Sequence, residues 1–299
     1  METEPHFKDY MIASREHILD TIRVLFESLT KTEKKIASTI LSSPDLLNQC
    51  SLAEIAKHLG ISEASMIRFY RTLGFKGFTD FKLQLAIELA TNENMENLLV
   101  GEDITPEDQA KNIADKLRCS INNVINETIH LLDFDQLDQV IKKLLKAKRI
   151  FLFGVGTSGI TASEAKHKLM RIGLSVDAPI NTHFMYMQAA LTQEDDVVIG
   201  ISHSGYSKET IHALGIARKN GTTTVALTHN PRSPITMVSD YVLLNGHRQS
   251  QLQGDSIGTK VAQFFVLDLI YALIVQADKN NATEAKQKTI NVILEQRIN

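Results

Sequence analysis

Apolar residues recur at helical spacing through the first part of the chain, from Ile22 to Leu89. They lie three or four positions apart, which is the period of a helix that buries one face. The first of them are Leu25, Leu29, Ile36 and Ile40, followed by Leu52, Ile55, Ala56 and Leu59. No run here is typical of a strand, so we predict an all-helical N-terminal domain over residues 1–95. Residues 1–20 are mixed and polar, and we assign them no function.

The pattern changes at Arg149 to short aliphatic and β-branched runs, each followed by a turn and then by helical spacing. The runs are Ile150–Val155, Leu174–Val176, Val197–Ile201, Thr224–Leu227 and Tyr241–Leu244. Apolar strands that alternate with helices predict a parallel sheet covered on both faces. We therefore predict an α/β fold, an all-α domain followed by a doubly wound parallel sheet, whose ligands bind beyond the carboxyl ends of the strands.

A polar stretch separates the two patterns. Residues 91–106 are rich in Asn, Glu, Asp and Thr and contain one glycine and one proline. Such a composition is typical of a loop, and we place a linker over residues 96–110. The α/β domain then spans residues 111–299, and helical segments near 107–132 and 135–146 precede its first strand.

Two short helices separated by a tight turn are predicted within the helical domain. Ser51, with Glu54 three positions later, forms a capping box that begins the first helix, and Gly60 ends it. Ser62 caps a second helix that runs from Glu63 to Leu73. This is the helix-turn-helix arrangement, whose second helix enters the major groove of DNA.

The second helix and the loop after it form a local basic patch. Residues 63–82 contain four basic and two acidic residues, a net charge of +2 in a chain whose formal net charge is −3. Ser65 and Arg68 lie about one turn apart, so both can face the groove, while Arg71 and Lys76 are typical of phosphate contacts, which position without reading sequence. The predicted DNA-binding residues are Ser62, Ser65, Arg68, Arg71 and Lys76.

A glycine-rich turn follows the first strand of the α/β domain. Gly154-Val155-Gly156-Thr157-Ser158-Gly159 fits the dinucleotide fingerprint, and Asp177 ends the next strand where a ribose-binding acid is expected. A repressor that senses NAD(H) through a Rossmann domain is therefore an alternative. Thr157 and Ser158 nevertheless add two hydroxyls at a helix start, where backbone donors already favour an anion.

A second loop of the same kind follows the strand Val197–Ile201. Ser202, Ser204 and Ser207 place three hydroxyls around one turn, and Gly205 lets the backbone approach closely. Hydroxyls and amides at a helix start form a phosphate cradle that needs no arginine. A dinucleotide domain has no use for this second loop, so the pair of loops favours a phosphorylated ligand.

The helical domain resembles the DNA-binding domain of the RpiR family of sugar-metabolism regulators, over Leu29–Ala37 and Arg68–Lys82. The two loops resemble the sugar isomerase domain, a phosphosugar-binding module shared by isomerases and these regulators. Further matching segments are Lys168, Arg171, Gly173, Thr228, Ser233–Ile235, Asp240 and Gly258–Gln263. Ser207 stands where threonine is more usual and keeps the hydroxyl. The resemblance covers about Leu29 to Gln276 in the family's domain order.

The resemblance implies a site for a sugar phosphate, with the second loop on the phosphate and the first loop beside it. His183, after the second strand, and Lys260, at the start of the last long helix, are placed to meet sugar hydroxyls. The implied ligand-binding residues are Thr157, Ser158, His183, Ser202, Ser204, Ser207 and Lys260. Residues 183 and 260 are similar to those of sialic-acid and amino-sugar regulators, so N-acetylmannosamine 6-phosphate is the expected effector, ahead of glucosamine 6-phosphate and N-acetylmuramic acid 6-phosphate.

A phosphosugar isomerase is a second alternative. Related isomerases carry a catalytic glutamate ahead of the last helix, where this chain reads Gln251-Leu252-Gln253-Gly254-Asp255-Ser256. Isomerisation needs a base within reach of the transferred proton, and Asp255, His183 and His203 remain candidates. Because that glutamate is missing and a DNA-binding domain is attached, we expect a regulator with no catalytic residue, no metal and no cofactor.

Composition narrows the protein class further. A net charge of −3 excludes a uniformly basic protein that coats nucleic acid. Cys50 and Cys119 lack the spacing of a zinc or redox pair, and we find no signal segment and no uncharged run of about 18 apolar residues. We therefore expect a cytoplasmic protein without a membrane partner.

The assembly expected from the sequence is a homodimer. A single helix-turn-helix reads too few base pairs for useful specificity, so two copies on a palindromic operator are expected. The helices near 107–132 and 261–275 are candidate interface elements. The predicted protein is thus a dimeric repressor that binds double-stranded operator DNA and controls a carbohydrate or amino-sugar operon.

Overall fold

The computed structural model describes residues 18–43, 50–96, 107–246 and 257–295. Two compact units divide the chain, the first built mainly from residues up to Leu131 and the second mainly from residues after it. Most of the predicted linker, 97–106, lies outside the described residues, as do residues 251–256, where related isomerases carry their glutamate.

The first unit is built from helices. They are α1 (Ile18–Leu25), α2 (Lys31–Ser42), α3 (Leu52–Leu59), α4 (Glu63–Thr72), α5 (Phe78–Glu96) and α6 (Ala110–Leu131), with a short 3-10 helix at Phe26–Ser28. The predicted capping box of Ser51 and Glu54 begins α3, and Gly60 ends α3 with a φ of 60°. A left-handed residue at a helix end favours glycine, which has no Cβ to clash. α4 packs against α2, α3 and α5.

The second unit is a five-stranded parallel sheet with helices on both faces, which confirms the predicted fold class. The strands are β1 (Ile150–Gly154), β2 (Val176–Asp177), β3 (Val197–Ile201), β4 (Thr223–Thr228) and β5 (Tyr241–Leu244). The helices are α7 (Phe134–Lys146), α8 (Thr157–Arg171), α9 (Thr182–Ala190), α10 (Lys208–Lys219), α11 (Ile257–Ala277) and α12 (Lys279–Glu295). β3 and β5 have the predicted bounds, whereas β2 begins two residues later than predicted.

The strand order, β2-β1-β3-β4-β5, reverses direction between β1 and β3. From β1 the chain moves outward to β2, and from β3 it moves to the other side through β4 and β5. The two central strands pair in register, with Gly154 beside Ile201 at their carboxyl ends. Such a reversal is the topological switch point of a doubly wound sheet, where ligands bind.

Successive strand residues contribute to two separate apolar cores. Leu152 and Ile199 pack with α7, α8 and α11 on one face, and Phe153 and Val198 pack with α9 and α10 on the other. Alternation of side chains along a strand produces this division. Both faces are covered, so the loops at the strand ends remain as the place for a ligand.

Among the described residues, one helix is long and apolar enough to cross a membrane by composition, Gly258–Ala277 within α11. Val266, Leu267 and Ile270 are buried in the core against the sheet. A core helix passes the same test of length and composition, and we assign α11 to the core.

A buried carboxylate joins α5 to the start of α1. Glu88 is only 7% exposed, and its carboxylate accepts the backbone N–H groups of Ile18 at 2.6 Å and Leu19 at 3.2 Å. Burial, together with the nearby carboxylate of Asp20, raises the pKa of Glu88 to about 7. The folded unit therefore holds a proton that the unfolded chain releases at lower pH.

We expect the stability of the protein to fall as pH rises. Because the pKa of Glu88 is higher in the folded than in the unfolded chain, protonation of its carboxylate stabilises the fold. This contribution to the free energy of unfolding is on the order of 3 kcal/mol; it is complete below about pH 4.5 and is lost as pH passes 7. Glu88→Gln, which cannot ionise, should make the denaturant midpoint nearly independent of pH between about pH 5 and 8. Glu164→Gln, at an exposed position, serves as the control, and an unchanged slope in Glu88→Gln would contradict the assignment.

Candidate functional site

The exposed side of α4 carries the residues predicted to read DNA bases. Ser62 caps the helix, and its hydroxyl accepts the Ser65 N–H at 3.3 Å. The hydroxyls of Ser62 and Ser65 lie 2.9 Å apart, and the exposed Arg68 guanidinium donates to the Ser65 hydroxyl at 3.1 Å. The three side chains form one polar chain at the start of α4, the part of a recognition helix that meets base edges.

The predicted phosphate contacts flank an aromatic cluster. Phe75 packs edge-on against Phe81 with ring centroids 5.3 Å apart, and Tyr70 stacks on Phe81 at 6.5 Å. This cluster fixes the loop that carries Lys76 to α4 and α5. Arg71 and Lys76 are both exposed, so their charges remain in solvent, where a DNA phosphate can reach them.

The serine loop, residues 202–207, brings predicted phosphate ligands together at the end of β3. The hydroxyl of Ser202 donates to the hydroxyl of Ser207 at 3.0 Å, and the Ser207 N–H donates back to Ser202 Oγ at 3.4 Å. The Tyr206 N–H donates to Ser204 Oγ at 3.3 Å. Ser202 is buried at the base of the loop and Ser204 is exposed.

Hydrogen bonds from β4 and the segment after it hold the serine loop in place. The carbonyl of His203 accepts the His229 N–H at 2.9 Å and the Thr228 hydroxyl at 3.1 Å. The Gly205 carbonyl accepts the Ile235 N–H at 3.2 Å. The loop is therefore organised by its own strand and by the neighbouring one, before any ligand arrives.

Position 205 requires glycine both because its φ is positive and because a side chain has no room there. Its φ of 73° is left-handed, and a Cβ at this position would lie 1.9 Å from the hydroxyl of Ser233. Ser233 is fully buried, so it has little room to move away. The backbone of the serine loop thus runs directly over Ser233.

The glycine loop, residues 154–158, forms the other half of the site at the start of α8. Gly156 caps the helix with a φ of 59° and no side-chain bond. The Ser158 hydroxyl is buried and accepts the side-chain amide of Gln263, on α11, at 3.3 Å. Because that hydroxyl already accepts a hydrogen bond, its own proton is available for an acceptor such as a phosphate oxygen.

Gln263 is a site residue to which the sequence analysis gave no role. It is 1% exposed, and its carbonyl accepts the Thr161 hydroxyl at 3.1 Å while its amide orients Ser158. The available signal was an amide inside an otherwise apolar helix. A buried polar side chain needs hydrogen-bond partners, and Ser158 and Thr161 of α8 supply them.

The in-register pairing of β1 and β3 places the glycine loop and the serine loop at the same edge of the sheet. Two helix starts, of α8 and α10, therefore lie side by side, and each adds backbone donors and a dipole that favour an anion. Lys260 is in the first turn of α11, and His183 is exposed in the first turn of α9, which follows β2. The described residues contain no group of three or more His, Cys, Asp or Glu suited to a metal.

Two observations count against a dinucleotide at the glycine loop. The strand order differs from the 3-2-1-4-5-6 order of Rossmann domains. Asp177 is also engaged, since its carboxylate accepts from Lys166 at 2.6 Å and from Gln188. Burial raises the pKa of Asp177, but these bonds outweigh it and hold that pKa below the usual value. The acid expected to bind a ribose is thus occupied by an ion pair.

Comparison with known proteins finds two matching family models. The helix-turn-helix domain of the RpiR family matches residues 16–92, and the SIS domain matches residues 143–273. An HTH-type transcriptional regulator of Haemophilus influenzae is 61% identical over 96% of this chain and 100% of its own length. A second HTH-type regulator, from Clostridium perfringens, is 34% identical over 89% of this chain and 94% of its own.

Two solved structures share the fold. The Vibrio vulnificus NanR protein complexed with ManNAc-6P is 26% identical and has a TM-score of 0.60, over 95% of this chain and 100% of that one. The sugar isomerase domain of an RpiR transcription factor from Sphaerobacter thermophilus is 21% identical, with a TM-score of 0.54, over 60% of this chain and 98% of that one. The first similarity spans both parts of the chain.

Gly205→Ala should destabilise the protein more than Gly156→Ala. Both replace a glycine of positive φ, where a side chain strains the backbone by about 1–3 kcal/mol, but a Cβ at 156 meets nothing within 4 Å, whereas one at 205 meets Ser233. We expect a further loss of about 1–3 kcal/mol from overpacking at 205. Chemical denaturation of the two variants measures the difference, and equal losses would mean that the serine loop can shift freely.

Proposed function

This chain belongs to the RpiR family of helix-turn-helix transcriptional regulators with a SIS domain, and we propose that it is a repressor that responds to a sugar phosphate. Its target would be a carbohydrate or amino-sugar catabolic operon. The observation that carries the proposal is the pair of hydroxyl-lined helix starts at the switch point of the sheet. Because the same chain carries a DNA-binding domain, this pair of loops is suited to sensing a sugar phosphate rather than to converting it.

The phosphate would lie between the two loops. Ser202, Ser204 and Ser207 would donate to its oxygens from the serine loop, and Thr157 and Ser158 would do so from the start of α8. Such a site matches the charge of a phosphate with dipoles and hydroxyl protons, and its selectivity for the sugar comes from other groups. We assign contacts with sugar hydroxyls to His183 and Lys260.

N-acetylmannosamine 6-phosphate or a related amino-sugar phosphate is our proposed effector. The solved NanR protein, which is similar over nearly the whole chain, is complexed with ManNAc-6P. In this chain, an imidazole at 183 and an ammonium at 260 offer donors of the kind that hydroxyl and acetamido oxygens accept. Glucosamine 6-phosphate and N-acetylmuramic acid 6-phosphate are the next ligands to compare.

On DNA, we propose that Ser62, Ser65 and Arg68 read base edges while Arg71 and Lys76 bind phosphates. Two copies of the chain would bind a palindromic site in the cytoplasm, with one recognition helix in each half-site. The effector would alter the relative orientation of the two copies. A coupling of about 1–3 kcal/mol between sugar and DNA would change operator affinity by roughly 5- to 150-fold.

We propose no catalytic role for the site. The serine loop supplies hydrogen-bond donors for a phosphate, but isomerisation also requires a base held at the carbon that loses its proton. His203, one of the candidate bases, stacks on His229 with ring centroids 5.0 Å apart, and its Nδ1 lies 3.3 Å from the Asn245 amide. Its neighbours therefore position the ring as part of the loop's framework.

The sensor is tested by thermal shift with sugar phosphates, their unphosphorylated parents and NADH. An amino-sugar phosphate at about 100 times its dissociation constant should stabilise the protein by about 2.7 kcal/mol. Ser204→Ala and Ser202→Ala should each reduce that shift, measured from the variant's own melting temperature, while Ser163→Ala on α8 should not. Stabilisation by NADH alone would overturn the proposal, and conversion of the sugar phosphate to a ketose or epimer would establish the isomerase instead.

The DNA interface is tested with an operator selected from random duplexes. Arg68→Ala should weaken operator binding by about 5- to 150-fold, since a base contact contributes roughly 1–3 kcal/mol. Lys76→Ala should weaken binding to all duplexes by the same factor and reduce the magnitude of the slope of log affinity against log salt concentration by about 1. Arg118→Ala, at an exposed position on α6, is the matched control. Full operator binding by Arg68→Ala would rule out α4 as the recognition helix.

A further inference from the structure

Just beyond β5 the chain passes from the second unit into the first across a single peptide bond, between Asn245 and Gly246. Both residues are buried, and Asn245 is fully so. Boundaries between compact units usually fall in exposed segments that few contacts cross. Here the backbone N–H groups of both residues are hydrogen-bonded instead. A displacement of one residue therefore displaces the other.

Asn245 connects this peptide to the serine loop. Its backbone N–H donates to the carbonyl of Thr228 at 3.0 Å, and its side-chain amide nitrogen lies 3.3 Å from Nδ1 of His203. The hydroxyl of Thr228 in turn donates to the carbonyl of His203 at 3.1 Å. His203 stands between two of the proposed phosphate ligands, Ser202 and Ser204. A ligand that draws these hydroxyls onto a phosphate therefore acts on the residue that contacts Asn245.

Gly246 connects the same peptide to α6. Its N–H donates to the hydroxyl of Thr128 at 2.9 Å, and that hydroxyl donates to the carbonyl of Val124 at 2.6 Å. A Cβ at position 246 would lie 2.8 Å from the carbonyl oxygen of Val124 and 2.9 Å from Oε2 of Glu127. Glu127 and Thr128 are themselves buried. The peptide is therefore in direct contact with the helix, and position 246 has room only for glycine.

Another side of α6 contacts the start of α1. Residues 128 and 130 are two positions apart, so they project from opposite sides of the helix. Nδ1 of His130 lies 3.6 Å from Oδ2 of Asp20, whose Oδ1 pairs with Arg23 at 2.6 Å. Burial raises the pKa of Asp20, but the contacts with His130 and Arg23 outweigh it and hold that pKa below the usual value. Asp20 is thus ionised at neutral pH, and its charge holds His130 of α6 against α1.

From α1 the contacts lead on to the recognition helix. Glu88 of α5 accepts the backbone N–H groups of Ile18 and Leu19, next to Asp20, and α5 packs against α4. Each step is a hydrogen bond, an ion-pair contact or a packed helix, and these are the elements that carry coupling between distant sites. A continuous series of covalent and non-covalent contacts thereby joins the serine loop to α4 within one chain.

We propose that the Asn245–Gly246 peptide carries the state of the serine loop to α6, and that α6 carries it to α1 through His130 and Asp20. The inference rests on the proposed function, because it takes a sugar phosphate at the serine loop and an operator at α4. Coupling requires an element that both sites bias, and α6 contacts both Gly246 and Asp20. Sugar and DNA each favour one position of α6, so each changes the affinity of the other by the same factor.

The first test breaks the contact between α6 and Gly246. Thr128→Val keeps the shape of the side chain but loses the hydroxyl, whereas Thr128→Ser keeps the hydroxyl. Affinity for the selected operator is measured by fluorescence anisotropy without and with saturating N-acetylmannosamine 6-phosphate. In Thr128→Val the ratio of the two affinities should move towards 1 by about 2- to 30-fold, the range for residues along a coupling route. Thr128→Ser should keep the wild-type ratio.

The second test breaks the contact between α6 and α1. His130 is exposed, so His130→Ala removes the contact with Asp20 without opening a cavity in the core. It should move the same ratio towards 1 by a similar factor, while the affinities for operator alone and for sugar phosphate alone remain close to those of the wild type. The matched control is His167→Ala, at an exposed position on α8, which should leave the ratio unchanged.

Hydrogen exchange gives a readout that does not depend on DNA. N-acetylmannosamine 6-phosphate should change the exchange rates of the backbone amides of α1 in the wild type and leave them unchanged in Thr128→Val. A purely structural role of Thr128 would alter exchange in the absence of sugar phosphate but not the response to it.

Other results would overturn the inference. A ratio that stays at the wild-type value in Thr128→Val or in His130→Ala would exclude this route and leave the proposed function intact. An exchange response of α1 that persists in Thr128→Val would do the same. If N-acetylmannosamine 6-phosphate and the other sugar phosphates leave the operator affinity of the wild type unchanged, the proposed function itself fails, and the inference fails with it.

Discussion

The in-register pairing of β1 with β3 is the contact on which the proposed sugar-phosphate site depends. Because Gly154 lies beside Ile201, two helix starts open at one edge of the sheet, although more than forty residues separate them. The reversal of strand order at this point leaves a crevice that neither helical layer covers. Without this register, the hydroxyls of the two loops would be unrelated caps of two separate helices.

The two halves of the protein are suited to anions by different physical means. α4 and the loop after it present exposed cations, which suits a polyanion whose counterions are released on binding. The glycine loop and the serine loop use hydroxyls, amides and helix dipoles, with their hydrogen bonds organised by Gln263, Thr228 and the backbone of β4. A preorganised neutral site can hold a phosphate without rearranging, and it leaves recognition of the sugar to residues at its border.

The sequence was informative where a local pattern decides the structure. β3 and β5 were predicted to the residue because each is a continuous run without polar side chains, and the capping box of Ser51 and Gly60 marked the two ends of α3. β2 was misplaced because it is a two-residue edge strand whose preceding Leu174 packs on the core from a loop. The role of Gln263 depends on contacts with residues about a hundred positions away. Information of this kind is not present in local spacing.

The close approach of Gly205 to Ser233 has a consequence for how such a protein can diverge. Any side chain at 205 collides with the hydroxyl of a buried residue that belongs to the neighbouring strand's loop. A Cβ at 205 would also lie 2.3 Å from the Cβ of Ser233, so a viable replacement requires glycine at 233 as well as a residue at 205 that tolerates positive φ. The change at 205 is harmful by itself. Positions 205 and 233 are thus expected to covary: in a comparison of many relatives they should change together or both be retained.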